Sequence, residues 1–349
     1  MKKTLVALAV AATTIAATAP ASAFTVYEQD GAKVELSGSF RAFLGRVGDD
    51  NRGDLKNDGS RIVIKASQDL GNGLSGFAGY QIRFEDKTNT KTNKEASSAS
   101  SFGSPTTREL YAGLAHKDIG ALSFGRQATS ADGMVLTDQY YYRSGEFNPL
   151  TTRADKSIKF KSADWNGFGF SVDYLFGNEY KDNASADYKH GYAAGLTYTY
   201  DISDVTALNF AAGYSYDAKD KATGSATGAE KDAWVVSTEL AHGPFSLSAA
   251  YGQTTDEGYE YADADGRYIS VGAHYQVIEP SKIYLQWERL SVKDNNTGDK
   301  DISNRYLAGV DYKFHKNVVT YVQYEHVTDK TEGERTKDNV FGVGLRVYF

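Results

Sequence analysis

Hydrophobic side chains recur at every second position along much of this chain, the period of an extended strand with two unlike faces. In the last segment Phe341, Val343, Leu345, Val347 and Phe349 share one face, and Val340, Gly342, Gly344, Arg346 and Tyr348 share the other. The same alternation runs through Val34, Leu36, Phe40, Ala42 and Leu44, through Phe168, Phe170, Val172, Tyr174 and Phe176, and through Tyr192, Ala194, Leu196, Tyr198 and Tyr200. It returns in Leu208 to Tyr214, Phe245 to Tyr251, Ile269 to Val277 and Tyr306 to Phe314. Helical periodicity is scarce, and after Phe24 no run approaches the ~18 consecutive apolar residues of a helical membrane span. The chain therefore reads as all-β.

The second face decides the architecture. It carries Gly, Ser, Thr, Gln, Arg, Lys and Glu, as in Glu35, Ser37, Ser39 and Arg41 or in Ser75, Gly79, Gln81, Arg83 and Glu85. A soluble sandwich also alternates, with apolar faces packed together and polar faces in water. Three features favour the inverted layout, apolar to lipid and polar to a wet lumen. The strands read as about 10 to 14 residues, longer than the usual five or six. Tyr and Phe crowd the strand ends, where an aromatic girdle sits. An export signal precedes them: Met1-Lys2-Lys3, an apolar run from Leu5 to Ala19, and the small-residue cleavage site Ala21-Ser22-Ala23. The expectation is a signal peptide over residues 1–23 and one transmembrane antiparallel β-barrel domain over 24–349.

The connections give a strand count. Short turns read at Leu70–Gly73, Lys117–Gly120, Asp164–Gly167, Asp201–Asp204, His242–Pro244, Glu279–Ser281 and His315–Asn317. Long polar stretches lie near 47–60, 87–106, 127–154, 178–189, 217–231, 254–267, 291–303 and 329–338. Seven short turns alternating with eight long loops join sixteen strands, with periplasmic turns on one side and extracellular loops on the other. Barrels of ~16 to 18 strands enclose an aqueous channel, whereas ~8 strands leave an interior filled by side chains.

Composition narrows the chemistry. Among 349 residues, Lys plus Arg number 38 and Asp plus Glu 45, for a net charge of −7, and cleavage after Ala23 would remove Lys2 and Lys3 to leave −9. The acidic balance argues against nucleic acid as a partner. With no cysteine, disulfide and thiolate chemistry are excluded. The segment Gly71-x-Gly73-x-x-Gly76 matches a dinucleotide fingerprint, but Phe77 onward alternates as a strand where a helix is required. Asp263-Ala264-Asp265-Gly266 resembles a calcium loop whose first and twelfth positions, Tyr261 and Gly272, are not ligands. The six histidines lack HExxH or i,i+4 spacing. No metal and no cofactor is implied.

The ordered set of segments resembles the general-diffusion porins of the Gram-negative outer membrane across the whole mature chain. The resemblance rests on Val34-Glu35-Leu36-Ser37-Gly38, on the hairpin Arg108-Glu109-Leu110-Tyr111-Ala112-Gly113-Leu114 with Gly120-Ala121-Leu122-Ser123-Phe124-Gly125-Arg126-Gln127, and on a last strand ending in Phe349. It implies a 16-stranded barrel, usually a homotrimer, set among outer-membrane lipid and lipopolysaccharide and passing small hydrophilic solutes and ions. It also implies a third outer loop folded into the pore, and a terminal strand with Leu345, Val347 and Phe349 read by the barrel-assembly machinery.

The third outer connection, 127–154, matches that constriction loop and contains Asp132, Asp138 and Glu146, the last within Gly145-Glu146-Phe147-Asn148-Pro149. It departs from the family form in lacking paired glycines after the Phe and in carrying Tyr140-Tyr141-Tyr142-Arg143. The family's basic wall maps to Arg61, Arg108 and Arg153, while strand parity places Arg41 and Arg83 in the lumen and Arg61 opposite Ile62 and Ile64. Loop carboxylates facing wall guanidiniums would set up a transverse field across water. The plainer reading is that these charges solvate the lumen or pair locally. A substrate-specific porin for sugars or phosphorylated solutes is the alternative, with Phe43, Tyr111, Tyr140 to Tyr142 and Tyr284 as a possible aromatic track. A barrel enzyme is a more distant one, since no nucleophile elbow is present. The second outer loop, Lys87 to Pro105, is expected to latch onto a neighbouring subunit.

Overall fold

Eighteen β-segments follow one another in a computed structural model that describes residues 23–84, 102, 105–143, 145, 147–178, 187–220, 228–260, 263–331 and 333–349. The export signal over 1–22, Glu85, Glu146 and most of the second outer loop lie outside the described residues. The segments are β1 (Phe24–Gln29), β2 (Ala32–Val47), β3 (Asp54–Asn57), β4 (Ser60–Gly71), β5 (Leu74–Phe84) and β6 (Pro105–His116). Next come β7 (Gly120–Ala128), β8 (Arg153–Ser162), β9 (Phe168–Phe176), β10 (Tyr188–Ser203), β11 (Thr206–Lys219) and β12 (Ala229–His242). The last six are β13 (Phe245–Glu257), β14 (Ala264–Ile278), β15 (Ser281–Asp294), β16 (Lys300–His315), β17 (Val318–Thr331) and β18 (Glu334–Tyr348).

Sixteen of these close a ring. Each of β4 to β17 pairs antiparallel with the next, β4 pairs with β2, and β18 returns to β2 through Val340↔Val47 to Tyr348↔Ser39. Closure leaves the sixteen-strand ring itself without an edge strand. The two remaining segments are pieces of that ring. Strand β3 continues β4 along the same edge of β2, Ala42↔Asn57 above Ser39↔Arg61, across an interruption at Asp58-Gly59. Gly59 is needed there: its φ is +72°, and a Cβ would lie 2.4 Å from the Arg83 guanidinium. Strand β1 takes the lower part of the other edge, Phe24↔Leu36 to Gln29↔Ala32, directly below Phe349, whose N–H donates to the Gly38 carbonyl at 3.1 Å.

Parity sorts the faces as the alternation requires. On β2, Leu44 is 60% exposed on the outside and Phe43 fully buried inside. Phe341, Val343, Leu345, Tyr306, Val310, Leu285 and Leu247 are exposed on the outer face, the arrangement for contact with acyl chains. Two aromatic belts bound this face. One holds Tyr174, Tyr192 and Tyr216, with ring centroids 5.4 and 5.9 Å apart. The other, at the short-turn end, holds Trp165, Phe168 and Phe170. On β10 the nine residues from Tyr192 to Tyr200 span about 27 Å of strand, or about 19 Å of membrane depth at a tilt near 45°.

All seven short turns are present, six where expected, while the one expected at Asp201–Asp204 falls at Asp204-Val205 because β10 runs on to Ser203. Predicted long loops are shortened where strands run on: 217–231 narrows to 220–228 and 254–267 to 258–263. Stretch 291–303 narrows to a five-residue connection between β15 and β16, and 329–338 is a hairpin in which Thr331 pairs with Glu334. Beyond the belt both strand faces meet water, so the hydrophobic alternation ends while the hydrogen-bond ladder continues.

Candidate functional site

The connection between β7 and β8, residues 129–152, turns inward and lies against the lumenal wall. The wall is cut down to receive it. Ala193, Ala211, Ala233 and Ala250 on β10 to β13 are buried beneath Ala131, Met134 and Leu150 of the loop. Glycines clear the backbone path: a Cβ on Gly195 would stand 2.1 Å from the Ser130 carbonyl, and one on Gly272 2.5 Å from the Thr137 carbonyl. Apolar burial inside the barrel thus comes from the loop, not from a second sheet.

Polar contacts carry the loop around the wall in sequence order. The Ser130 N–H donates to Asp173 on β9, and Ser237 on β12 donates to the Met134 carbonyl at 2.7 Å. The Gln139 N–H donates to Gln286 on β15 at 2.7 Å, and the N–H groups of Tyr141 and Tyr142 donate to Gln323 on β17 at 3.2 and 3.3 Å. The Gln323 amide donates back to the Tyr142 carbonyl at 3.0 Å. On the return, the Thr151 N–H donates to Ser215 on β11 at 3.0 Å.

The tyrosine run is the loop's anchor. Tyr142 stacks on Phe43 with centroids 4.0 Å apart, and Tyr141 stacks on Tyr321 at 4.6 Å and meets Tyr284 edge-on at 5.6 Å. The Tyr141 hydroxyl donates to Asp311 at 2.6 Å. Tyr284 and Tyr321 lie over Gly309 and Gly344 of the next strand. The aromatics proposed as a sugar track, Phe43, Tyr140 and Tyr284, are buried in this packing; Tyr111 lies over Gly79 on the wall.

The sequence-predicted arginines separate into two groups. Arg41 (β2), Arg61 (β4), Arg83 (β5) and Arg108 (β6) converge, joined by Arg346 (β18), all within electrostatic reach of Arg61. Arg41 stands directly across from Arg346, and Arg61 across from Arg83. Like charges facing across strands are destabilising in a structural role, so five of them on one lumenal wall require a functional reason. The Arg41 Nε donates to Ser39 at 2.8 Å and the Arg61 Nε to the Gly59 carbonyl at 3.1 Å. Arg346 binds Asp58 at 2.6 Å and donates to the Tyr141 carbonyl, tying the loop tip to this wall. Arg153 stands apart, paired with Glu109 at 2.6 Å.

The loop carboxylates are likewise divided. Asp132 lies in the field of Arg153, Lys159 and Arg108, yet burial pushes its carboxyl above the ordinary Asp range. Asp138 accepts from the Tyr140 N–H at 3.2 Å on the far side, near Glu288. Glu146 lies outside the described residues. Asp132 and Asp138 therefore do not form one acidic cluster.

Sequence reasoning missed the charges beneath the loop tip. Arg305 on β16 is 1% exposed and lies 3.5 Å from Glu288 and 3.6 Å from Glu325, with Tyr140 and Phe147 stacked on its guanidinium at 5.1 and 4.6 Å. Arg143 reaches Glu325 at 3.7 Å. Their signal was parity alone: Glu288, Arg305 and Glu325 all occupy inward positions of their strands. The suspected calcium motif is a loop tie, with the Asn295 amide donating to Asp263 at 2.9 Å and to Asp265 at 3.3 Å.

Comparison with known proteins agrees with this geometry. The model of the Gram-negative porin family matches residues 5–332. The chain is 38% identical over 365 residues to a major outer membrane protein of Pasteurella multocida (strain Pm70), with both chains fully covered. Among solved structures it is similar to in-vitro folded OmpT, an outer membrane protein of Vibrio cholerae, in its trimer form (TM-score 0.70, 20% identity, 92% of this chain and 100% of that one). It is also similar to an anion-selective porin from Comamonas acidovorans (TM-score 0.71, 17% identity, 91% and 100%). A closed sixteen-stranded ring with an apolar exterior, a charged lumen and an inward-folded loop is a diffusion channel of the outer membrane, and the chain belongs to the Gram-negative porin family.

Proposed function

We propose that this channel, which is not an enzyme, passes small hydrophilic solutes with a preference for anions, set by Arg41, Arg61, Arg83 and Arg108. The observation that carries this reading is their convergence from four strands on the wall opposite the one that seats most of the loop, with Arg346, paired to Asp58, tying the loop tip beside them. Guanidiniums hold their charge at growth pH, and rings of Arg favour anion entry. Asp132 and Asp138 on the loop supply the opposing pole of a field that orients dipolar solutes and penalises apolar ones. Arg153, neutralised by Glu109, positions the loop's exit and contributes little to the field. The reading includes export by residues 1–23, recognition of Leu345, Val347 and Phe349 during barrel assembly, and a homotrimer whose second outer loop latches onto a neighbour.

Reversal potentials in a salt gradient across a planar bilayer test the assignment. Replacing Arg61 and Arg108 by Ser is expected to shift the permeability ratio toward cations, about threefold for each charge, from ~0.6 kcal/mol of Coulomb energy at about 7 Å in water. An unchanged reversal potential would remove these arginines from the selectivity wall. The substrate-specific alternative predicts saturation and current block by a sugar at low concentration. The seating of Phe43, Tyr140 and Tyr284 under the loop speaks against it.

A further inference from the structure

The arginine wall is assembled on an irregularity in the barrel. Between the pairs Ala42↔Asn57 and Ser39↔Arg61, three residues, Asp58, Gly59 and Ser60, lie against two, Phe40 and Arg41. Asn57 opposes Ala42 of the outer face, so an uninterrupted strand would carry Arg61, four positions on, toward lipid as well. The extra residue resets the period and turns Arg61 into the lumen, as β-bulges do when they re-aim a side chain. Both neighbouring strands pin it. The Asp58 N–H donates to the Arg41 carbonyl at 3.0 Å, the Arg41 N–H to Ser60 Oγ at 2.9 Å, and the Asn57 amide to the Phe84 carbonyl.

Building on the anion preference proposed above, we infer that Asp58 and Gly59 are the positioning residues of the selectivity wall: Gly59 fixes Arg61 and Arg83 at the passage, and Asp58 withdraws Arg346 from it. Gly59 acts through its backbone and its missing side chain. Its carbonyl accepts from Arg61 Nε at 3.1 Å, and the Arg83 guanidinium occupies the space that a Cβ would need. Two guanidiniums that face each other across β4 and β5 are thereby held, against their repulsion, at neighbouring points on one residue. Asp58 acts through its charge. Its carboxylate pairs with Arg346 at 2.6 Å, the two side chains being 14% and 4% exposed, and opposite charges in contact cancel most of each other's field at a distance. Arg346 is left to hold the Tyr141 carbonyl. Of the five arginines brought together, four act on the passage, and Asp58 sets that number.

Reversal potentials of the purified protein in a salt gradient test both roles. Asp58→Asn keeps an oxygen acceptor for Arg346 but removes the neutralising charge, and should raise the anion-to-cation permeability ratio about threefold, the effect of one unit charge. Gly59→Ala changes no charge, yet it displaces Arg83 and should lower the ratio about twofold, less than the loss of a whole charge. If Gly59 acts through Arg83, Gly59→Ala makes no further difference in an Arg83→Gln background. Circular dichroism, with strand content retained, reports that each variant folds. Arg61→Ser with Arg108→Ser, measured alongside, separates two kinds of failure. If that variant leaves the reversal potential unmoved, the arginine wall itself is wrong and the positioning roles fall with it. If it shifts the potential while Asp58→Asn leaves the ratio unchanged or lower, the positioning roles alone are overturned. An equal decrease from Gly59→Ala with and without Arg83 would also overturn them, as the sign of a merely structural effect.

Discussion

At the scale of single residues, the lumen contains two kinds of charge: arginines that face the passage and arginines consumed in holding the loop. Arg305 is of the second kind. Replacing it by Met would leave Glu288 and Glu325 buried against each other, a loss of about 3–5 kcal/mol expected as a lower denaturation midpoint in detergent. Adding Glu288→Gln and Glu325→Gln should restore most of it. Asp132 supplies a pH response. Its carboxyl is raised by burial, so folding takes up a proton there and acidification through its pKa adds stability. Protonation also removes a negative charge beside Arg108 and Arg153. Anion preference should therefore rise on acidification, with a midpoint above ~3.9, and Asp132→Asn should abolish the step. Parity made Arg41, Arg61 and Arg83 legible in the sequence, because one strand suffices to tell inside from outside. The pairing of Arg153 with Glu109 was not legible, since it joins residues 44 apart across two strands.

At the scale of elements, strands and short turns could be read because lipid on one side and water on the other impose a period of two. The ends of β15 to β18 could not, because water meets both faces there. Loop seating was equally hidden. It depends on Gly195, Gly213 and Gly272 standing under the loop, and a glycine on a polar lumenal face looks like any other small residue until the loop's path is known. Gly195→Val would place a side chain against the Ser130 carbonyl. It should push the loop toward the pore axis, lowering single-channel conductance and costing about 1–3 kcal/mol, with strand content by circular dichroism unchanged. The tyrosine run, which resembled a solute track, is explained by the same packing.

At the scale of the whole molecule, the account rests on an inverted barrel: oily side chains toward acyl chains and charged ones around water. The lack of native cysteine makes this directly measurable with introduced thiols. On β4, Lys65 points inward and Ile64 outward. The decisive measurement is the current through Lys65→Cys and Ile64→Cys channels in a planar bilayer, before and after a membrane-impermeant, charged thiol reagent. Conductance should fall for Lys65→Cys and stay constant for Ile64→Cys. The reverse pattern, or a bilayer that never conducts, would contradict it.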